Sequence, residues 1–406
     1  MRLQLITQLF DPENAIKGLS FVKELASQGY DVEVVTTYPS YPGGKIYPGY
    51  KMKLIQVEET DGVRIVRLPS YIAHGRSAMQ RMLSYLSFSL SAFTYNILIG
   101  KRPDVIYSYY PPMIGGIFSA LQATIQKRPF VYDVQDLWPE ALTATGMLKS
   151  QRTIRYIESI LGWIYKRAST IIVLSDGYKS ALMEKGVPEE KIHRIYNWCD
   201  ESRINNQERE IPAKKEHFDI VYAGNLGAAQ ALDHIIDAAC IVQGQNSAIK
   251  FTFIGDGIER DRLQKKAASM KLSNVFFKGR VEPELVGAEL QKADALLVHL
   301  ADDPVFRITI PSKTQAYLFM GKPILMAVSG ESADIIKRAG AGIVSKPCSP
   351  GDIAAAALEL SQCSAMQRDL FGKSAERFYE DNMSQKSGVT KISFILKRIA
   401  GKVQHA

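Results

Sequence analysis

The chain has 406 residues, 46% hydrophobic and 23% charged, which is apolar material for two or three packed domains and excludes disorder as the default. Its formal net charge of +8 favours anionic partners, but there is no dense Lys/Arg run with interleaved aromatics and no zinc-finger spacing, which argues against nucleic acid. Cys199, Cys240, Cys348 and Cys363 form no CxxC pair and the six histidines form no HExxH, so the chain reads as a metal-free protein of a reducing compartment.

Met1 and Arg2 lead straight into residues 3–6, a core strand rather than a signal peptide. Further strands are predicted over 32–36, 63–67, 105–107, 130–132, 170–173 and 192–195, with helices over 17–28, 78–99, 113–126, 152–167 and 177–185 between them. Alternation of this kind points to a parallel sheet covered on both faces. Residues 38–50, rich in Pro and Gly, form a long loop of the sort that carries function. Residues 82–100 are uncharged and long enough to span a bilayer, but Ser84, Ser87, Ser89, Ser91, Thr94 and Asn96 make a poor lipid-facing surface. The segment also lies between two strands of one sheet. It reads as a helix of the first domain or, with Arg76, Arg81, Lys101 and Arg102 beside it, as a membrane-docking face.

A polar stretch over 197–215 is the best linker, and a second βα alternation begins at Phe218. Its later strands are predicted over 250–254, 275–278, 295–299, 323–327 and 342–344, and the chain is helical from 350 onward. The fold class is therefore α/β with two Rossmann-like, doubly wound parallel-sheet domains facing a cleft. The boundaries are 1–200, a linker at 201–216, a second domain at 217–384 and a C-terminal helix at 385–406 that crosses back to the first.

Three junctions in the second half can carry chemistry. Gly224-Asn225-Leu226-Gly227 precedes a helix predicted from near Ala229; its glycines let backbone amides approach phosphate, or make an ordinary tight turn. It is not the GxGxxG of dinucleotide binding. Ile254-Gly255-Asp256-Gly257 repeats the pattern with the same two readings. Phe306-Arg307-Ile308-Thr309-Ile310-Pro311-Ser312-Lys313 opens a helix in whose first turn Pro311 fits, so that free amides, the Ser312 hydroxyl and two cations can converge on a diphosphate; a solvated basic loop is the alternative. Arg280 on a nearby turn is a reserve cation, and Asp302-Asp303 reads as a solvated pair rather than a metal site. In the first half, Tyr132-Asp133-Val134-Gln135-Asp136-Leu137-Trp138-Pro139-Glu140 follows a strand. Its acids can accept sugar hydroxyl protons and its indole can pack on a pyranose face, against plain capping and packing roles.

The chain resembles family 4 of the retaining glycosyltransferases, of GT-B fold, over nearly its whole length. The resemblance rests on Tyr41-Pro42-Gly43-Gly44-Lys45-Ile46-Tyr47-Pro48-Gly49-Tyr50, Asp136-Leu137-Trp138-Pro139-Glu140, Ala144-Thr145-Gly146-Met147-Leu148, Tyr222-Ala223-Gly224-Asn225, Ile310-Pro311-Ser312-Lys313-Thr314-Gln315-Ala316-Tyr317 and Gly321-Lys322-Pro323. Asn197-Trp198-Cys199-Asp200 is similar to the family's turn at the domain junction. Within the family the chain looks most like enzymes that assemble O-antigen and capsule repeat units, such as N-acetyl-L-fucosamine transferases. It departs from the family pattern where Asn225 and Gln230 stand for a diphosphate-binding Arg and Lys. Ile308 and Ala316 likewise stand for a Glu pair, and Gln135 for a His.

The resemblance implies transfer of a sugar from a nucleoside diphosphate with retention, without metal or other cofactor. The donor would be a UDP-linked N-acetylated deoxyamino sugar and the acceptor an undecaprenyl-diphosphate-linked saccharide. The enzyme would be cytoplasmic and peripheral to the anionic inner-membrane surface. Motifs and resemblance together assign Asp136, Glu140, Arg307 and Lys313 to catalysis. Gly224, Asn225, Gln230, Gly255, Asp256, Arg280, Pro311, Ser312, Thr314 and Gln315 go to the donor, and Lys17, Gly18, Tyr41 and Trp138 to the acceptor. The rival readings are a sugar-nucleotide 2-epimerase of the same fold and a non-catalytic partner in a polysaccharide assembly complex.

Overall fold

Short runs rich in Val and Ile become strands, the central ones buried on both faces, because helices cover both sides of a parallel sheet. In the computed structural model, which describes residues 1–41, 43–72, 78–109, 113–144, 148, 150–204 and 216–404, these strands sort into two units. One is Met1–Ile195 with Gly388–Ala406; the other is Tyr196–Ser387.

The first unit holds β1 (Arg2–Ile6), β2 (Asp31–Thr37), β3 (Gln56–Thr60), β4 (Val63–Leu68), β5 (Val105–Tyr109), β6 (Phe130–Val134), β7 (Thr170–Val173) and β8 (Ile192–Arg194). The sheet order is β3-β4-β2-β1-β5-β6-β7-β8, parallel throughout except for β3 against β4. The antiparallel strand β3 is missing from the sequence expectation. Its signal was Asp61-Gly62, whose φ values of 50° and 79° suit a two-residue hairpin turn. Around the sheet lie α1 (Leu19–Ser27), α2 (Ala78–Leu98), α3 (Met113–Gln126), α4 (Glu140–Ala144), α5 (Gln151–Arg167) and α6 (Asp176–Glu184). Gly116 lets α3 rest on β6, since a Cβ there would meet the Tyr132 ring at 2.7 Å.

The second unit begins with α7 (Glu201–Ile204), inside the predicted linker; residues 205–215 of that linker lie outside the described residues. It continues through β9 (Phe218–Ala223), α8 (Asp233–Gln245), β10 (Ile249–Ile254), α9 (Arg260–Ser269), β11 (Val275–Gly279), α10 (Pro283–Gln291), β12 (Ala295–His299), α11 (Pro304–Arg307), α12 (Ser312–Phe319), β13 (Ile324–Ala327), α13 (Glu331–Ala339), β14 (Gly342–Val344), α14 (Pro350–Gln362) and α15 (Ala365–Asn382). Its sheet order is β11-β10-β9-β12-β13-β14. Ile220, Tyr222, Phe251, Phe253, Leu297 and Leu325 anchor its core against Ile235 and Ile236 of α8 and Ile353 of α14. The last helix, α16 (Gln385–Gln404), belongs to the first unit from Gly388 on. There its Ser393 hydroxyl lies 2.8 Å from the Tyr30 hydroxyl.

Among the described residues no helix is long and apolar enough to cross a membrane. Two helix starts differ from expectation. The helix predicted near Ala229 begins at Asp233, after a 3-10 turn over Ala228–Gln230 closed by Ala231 at φ 44°. Pro311 caps α12 from just outside rather than sitting within its first turn. Arg76, Pro42 and Thr145-Gly146-Met147, named above, lie outside the described residues.

Candidate functional site

In the second unit successive strands are added to one side of β9 and then to the other, so the order reverses between β9 and β12. Open parallel sheets bind ligands at the carboxyl ends of such strands. Here those ends are Ala223 and His299.

Glycines govern this end. Gly224 leaves β9 at φ 141° and Gly255 leaves β10 at φ 135°, conformations that L side chains rarely adopt. The two approach closely: a Cβ on Gly255 would stand 2.0 Å from the Gly224 carbonyl oxygen, and one on Gly257 2.3 Å from that of Leu226. A Cβ on Gly224 would stand 2.6 Å from Nζ of Lys313, which comes from the first turn of α12. That ammonium lies 4.8 Å from the centre of the Tyr222 ring, a cation–π distance. Burial pushes its pKa down to about 8, and among the described residues no carboxylate ion-pairs with it. The Tyr317 hydroxyl accepts the Ala223 amide at 2.9 Å, and the Tyr222 hydroxyl donates to the Asn225 carbonyl at 2.7 Å. These bonds fix α12 and the loop against the end of β9.

Other assigned residues serve the loops themselves. Asn225 Nδ2 donates to Gln230 Oε1 at 3.3 Å, and the Gly227 amide donates to the same oxygen at 3.1 Å, so Asn225 and Gln230 brace their own turn. Asp256 accepts the Gly257 amide at 2.9 Å and lies 3.7 Å from Arg260. Gln315 is buried, with its amide turned to donate to the Pro311 and Ser312 carbonyls at 2.8 and 3.1 Å. Thr314 is buried, while Ser312 and Arg280 are exposed. The Arg307 guanidinium forks onto Asp302 at 3.1 and 3.2 Å on an exposed turn of α11.

Sequence reasoning missed His299. Its Nε2 accepts the Cys348 amide at 3.2 Å, so the proton resides on Nδ1, which donates to the Gln230 carbonyl at 2.6 Å. Burial holds this imidazole neutral, pushing its pKa down to about 4. The available signal was its place at the end of a strand beside the reversal.

In the first unit Lys17 and Asp133 form a fully buried ion pair. Tyr107 also donates to Asp133, and Gln135 donates to its other oxygen at 2.6 Å. Lys17, assigned to the acceptor, is therefore placed behind the surface as a positioning residue, because its ammonium is spent on Asp133 with no exposure. Gly18 is needed because a Cβ would stand 2.2 Å from the Asp11 carboxylate, which accepts the Leu19 amide at the start of α1. Glu140, assigned to catalysis, ion-pairs with Lys185 at 2.5 Å at the start of α4. Asp136 and Tyr41 are exposed and Trp138 is half-buried. Burial raises the pKa of Tyr85 of α2, offset in part by Arg81 and reinforced by the nearby Asp136 carboxylate. The sequence also hid Glu13, whose buried carboxylate accepts the Ser40 and Tyr41 amides, both at 2.6 Å, and so sets the start of the 38–50 loop.

Two family models match the chain: a glycosyl transferase 4-like domain over residues 19–198 and glycosyl transferases group 1 over residues 203–378. WbjE of Pseudomonas aeruginosa, named as a probable glycosyltransferase, is 26% identical over 332 residues, covering 78% of this chain and 81% of that protein. WcaI of Escherichia coli, named for glycosyl transfer in colanic acid biosynthesis, is 25% identical over 292 residues, 68% of this chain and 70% of that protein. The crystal structure of Anabaena HepE in complex with UDP and glucose has a TM-score of 0.62 at 16% identity, covering 98% of this chain and 99% of that one. The shared architecture is the GT-B fold.

Proposed function

The chain belongs to the group 1 glycosyltransferases, retaining transferases of GT-B fold, and we propose that its second unit binds a nucleotide-sugar through the diphosphate at the Gly224–Lys313 corner while its first unit binds the acceptor. One observation carries this reading. A half-buried cation without a carboxylate partner among the described residues faces a glycine at the strand-order reversal.

When the sugar–phosphate bond breaks, negative charge develops on the leaving diphosphate. The Lys313 ammonium and the first-turn amides of α12 are held in place to meet it. Asn225 and Gln230 are neutral and occupied with one another, so Lys313 takes over the charge that an Arg and a Lys would otherwise supply. Tyr222 and Tyr317 position that corner without entering the chemistry. On the acceptor side the exposed Tyr41 and Asp136 and the half-buried Trp138 offer a phenol, a carboxylate and an indole face to a saccharide. Glu13 and the Lys17–Asp133 pair hold the loops behind them.

The donor is a UDP-linked N-acetylated deoxyamino sugar. The acceptor is an undecaprenyl-diphosphate-linked saccharide of O-antigen or capsule assembly at the inner membrane. The subgroup motifs support this, as do the UDP bound to HepE and the naming of WcaI for colanic acid biosynthesis. The test is a thermal-shift series with UDP and GDP, followed by transfer assays with UDP-sugars and lipid-linked acceptors. UDP is expected to raise the melting temperature more than GDP, since a ligand of the native state stabilises it. A larger shift with GDP overturns the donor assignment, and donor turnover without acceptor favours the 2-epimerase reading.

A further inference from the structure

Far along the first sheet, β8, α6 and α16 enclose an open cavity of about 630 Å³, large enough for a phosphate ester. Four fixed cations line it: Lys179 of α6, Arg194 of β8, and Lys391 and Arg398 of α16. Asp176 is the acidic side chain among the lining residues; it holds Arg194 at 2.8 Å. Lys179 reaches out to Glu189 at 2.7 Å. Among the lining residues basic side chains outnumber acidic ones four to one.

The contacts inside the cavity carry the mark of that excess. The Arg398 guanidinium lies 2.7 Å from Nε2 of His193 and donates to a neutral ring. A carboxylate or phosphate is the stronger partner for a guanidinium. Burial, then Arg398 and Lys179, hold the His193 pKa below the usual histidine range, and burial, then Arg194, lowers that of Lys391. Like charges face one another across the space. Phe394 stands 67% exposed between Lys391 and Arg398 on the same face of α16, and Ile192 and Ile195 form an apolar wall.

We propose that this cavity binds a phosphate-bearing ligand, its anionic group beside Arg398 and Lys391 and its apolar part against Phe394. Every lining residue belongs to the first unit, whereas Lys313 belongs to the second, so the site is separate from the donor corner. Two sources share this chemistry: a soluble phosphate ester and a phospholipid headgroup.

The test uses the full chain with labelled histidines, the His193 resonance being assigned with His193→Gln. Inorganic pyrophosphate and monomeric dihexanoylphosphatidylglycerol are titrated separately, and the pH titration of His193 is followed by NMR. A bound anion offsets the neighbouring cations, so the His193 pKa is expected to rise saturably. Arg398→Gln and Lys391→Gln should each weaken binding at least about fivefold, because each removes a charge-assisted contact, while Lys313→Ala leaves the His193 response unchanged. A response to pyrophosphate assigns a soluble ester; a response to the lipid alone assigns a headgroup. If His193 responds to neither compound, or both variants bind as the parent does, the proposal is overturned. The response is read on the unmodified protein, so it does not depend on the variants folding.

Discussion

Lys313 holds its ammonium 4.8 Å from the centre of the Tyr222 ring, over the Cα of Gly224, at the end of the strand where the second sheet reverses. With its pKa pushed down to about 8, it is charged below that pH and neutral above it. The kcat/KM for donor, which reports the free enzyme, should therefore fall as pH rises through about 8. Lys313→Arg should remove that limb, and Lys313→Ala should lower turnover by about tenfold to a thousandfold at matched melting temperature. Gly224→Ala should behave similarly, because its Cβ would stand 2.6 Å from Nζ at a φ of 141°. A flat profile through pH 9 counts against Lys313 as the charge at the diphosphate.

Arg307 provides the contrast. Its fork is already filled by Asp302 on the surface, an exposed pair contributing about 0.2–1 kcal/mol. Arg307→Ala should lower turnover less than Lys313→Ala does. Steady-state transfer by the two single variants ranks them, and the reverse order would move the assignment to Arg307.

His299 predicts an acid limb in stability. Its pKa is about 4 when folded and near 6.5 when unfolded, so the unfolded chain binds the extra proton between those values. Stability contributed by the neutral ring is present above pH 6.5 and is lost as pH falls towards 4, by up to about 3 kcal/mol. Denaturant midpoints measured from pH 7 to pH 4 should show this loss, and His299→Gln should flatten it.

The Lys17–Asp133 pair is buried without exposure. Removing one partner strands the other charge, so Lys17→Met or Asp133→Asn should each destabilise by about 3–5 kcal/mol. The double variant should recover part of that loss. Urea unfolding measures all three, and additive single effects would contradict the coupling.

Helix α2 turns Met79, Met82, Leu86, Leu90 and Leu98 outward, each at least 44% exposed, in one stripe at helical spacing. With Arg81, Lys101 and Arg102 nearby, this face is expected to bind anionic vesicles at low salt. Leu86→Glu with Leu90→Glu should cut flotation at least about fivefold without lowering the melting temperature. Retained flotation would assign the stripe another role.

By itself the sequence determined the alternation of strand and helix in both halves, because β-branched runs and amphipathic stretches report local burial directly. It also marked Gly224 and Gly255 as turn glycines at strand ends, and both have the positive φ that such turns need. Tertiary structure decided which charges are spoken for. Lys17 meets Asp133 from 116 residues away, Glu140 is taken by Lys185 and Arg307 by Asp302, while Lys313 is left facing a glycine. His299 and the cavity joining His193 to Arg398, 205 residues apart, were likewise hidden. A side chain's charge is written in the sequence, but whether that charge is neutralised depends on neighbours within a few ångströms, and chain folding, not chain order, brings those neighbours together.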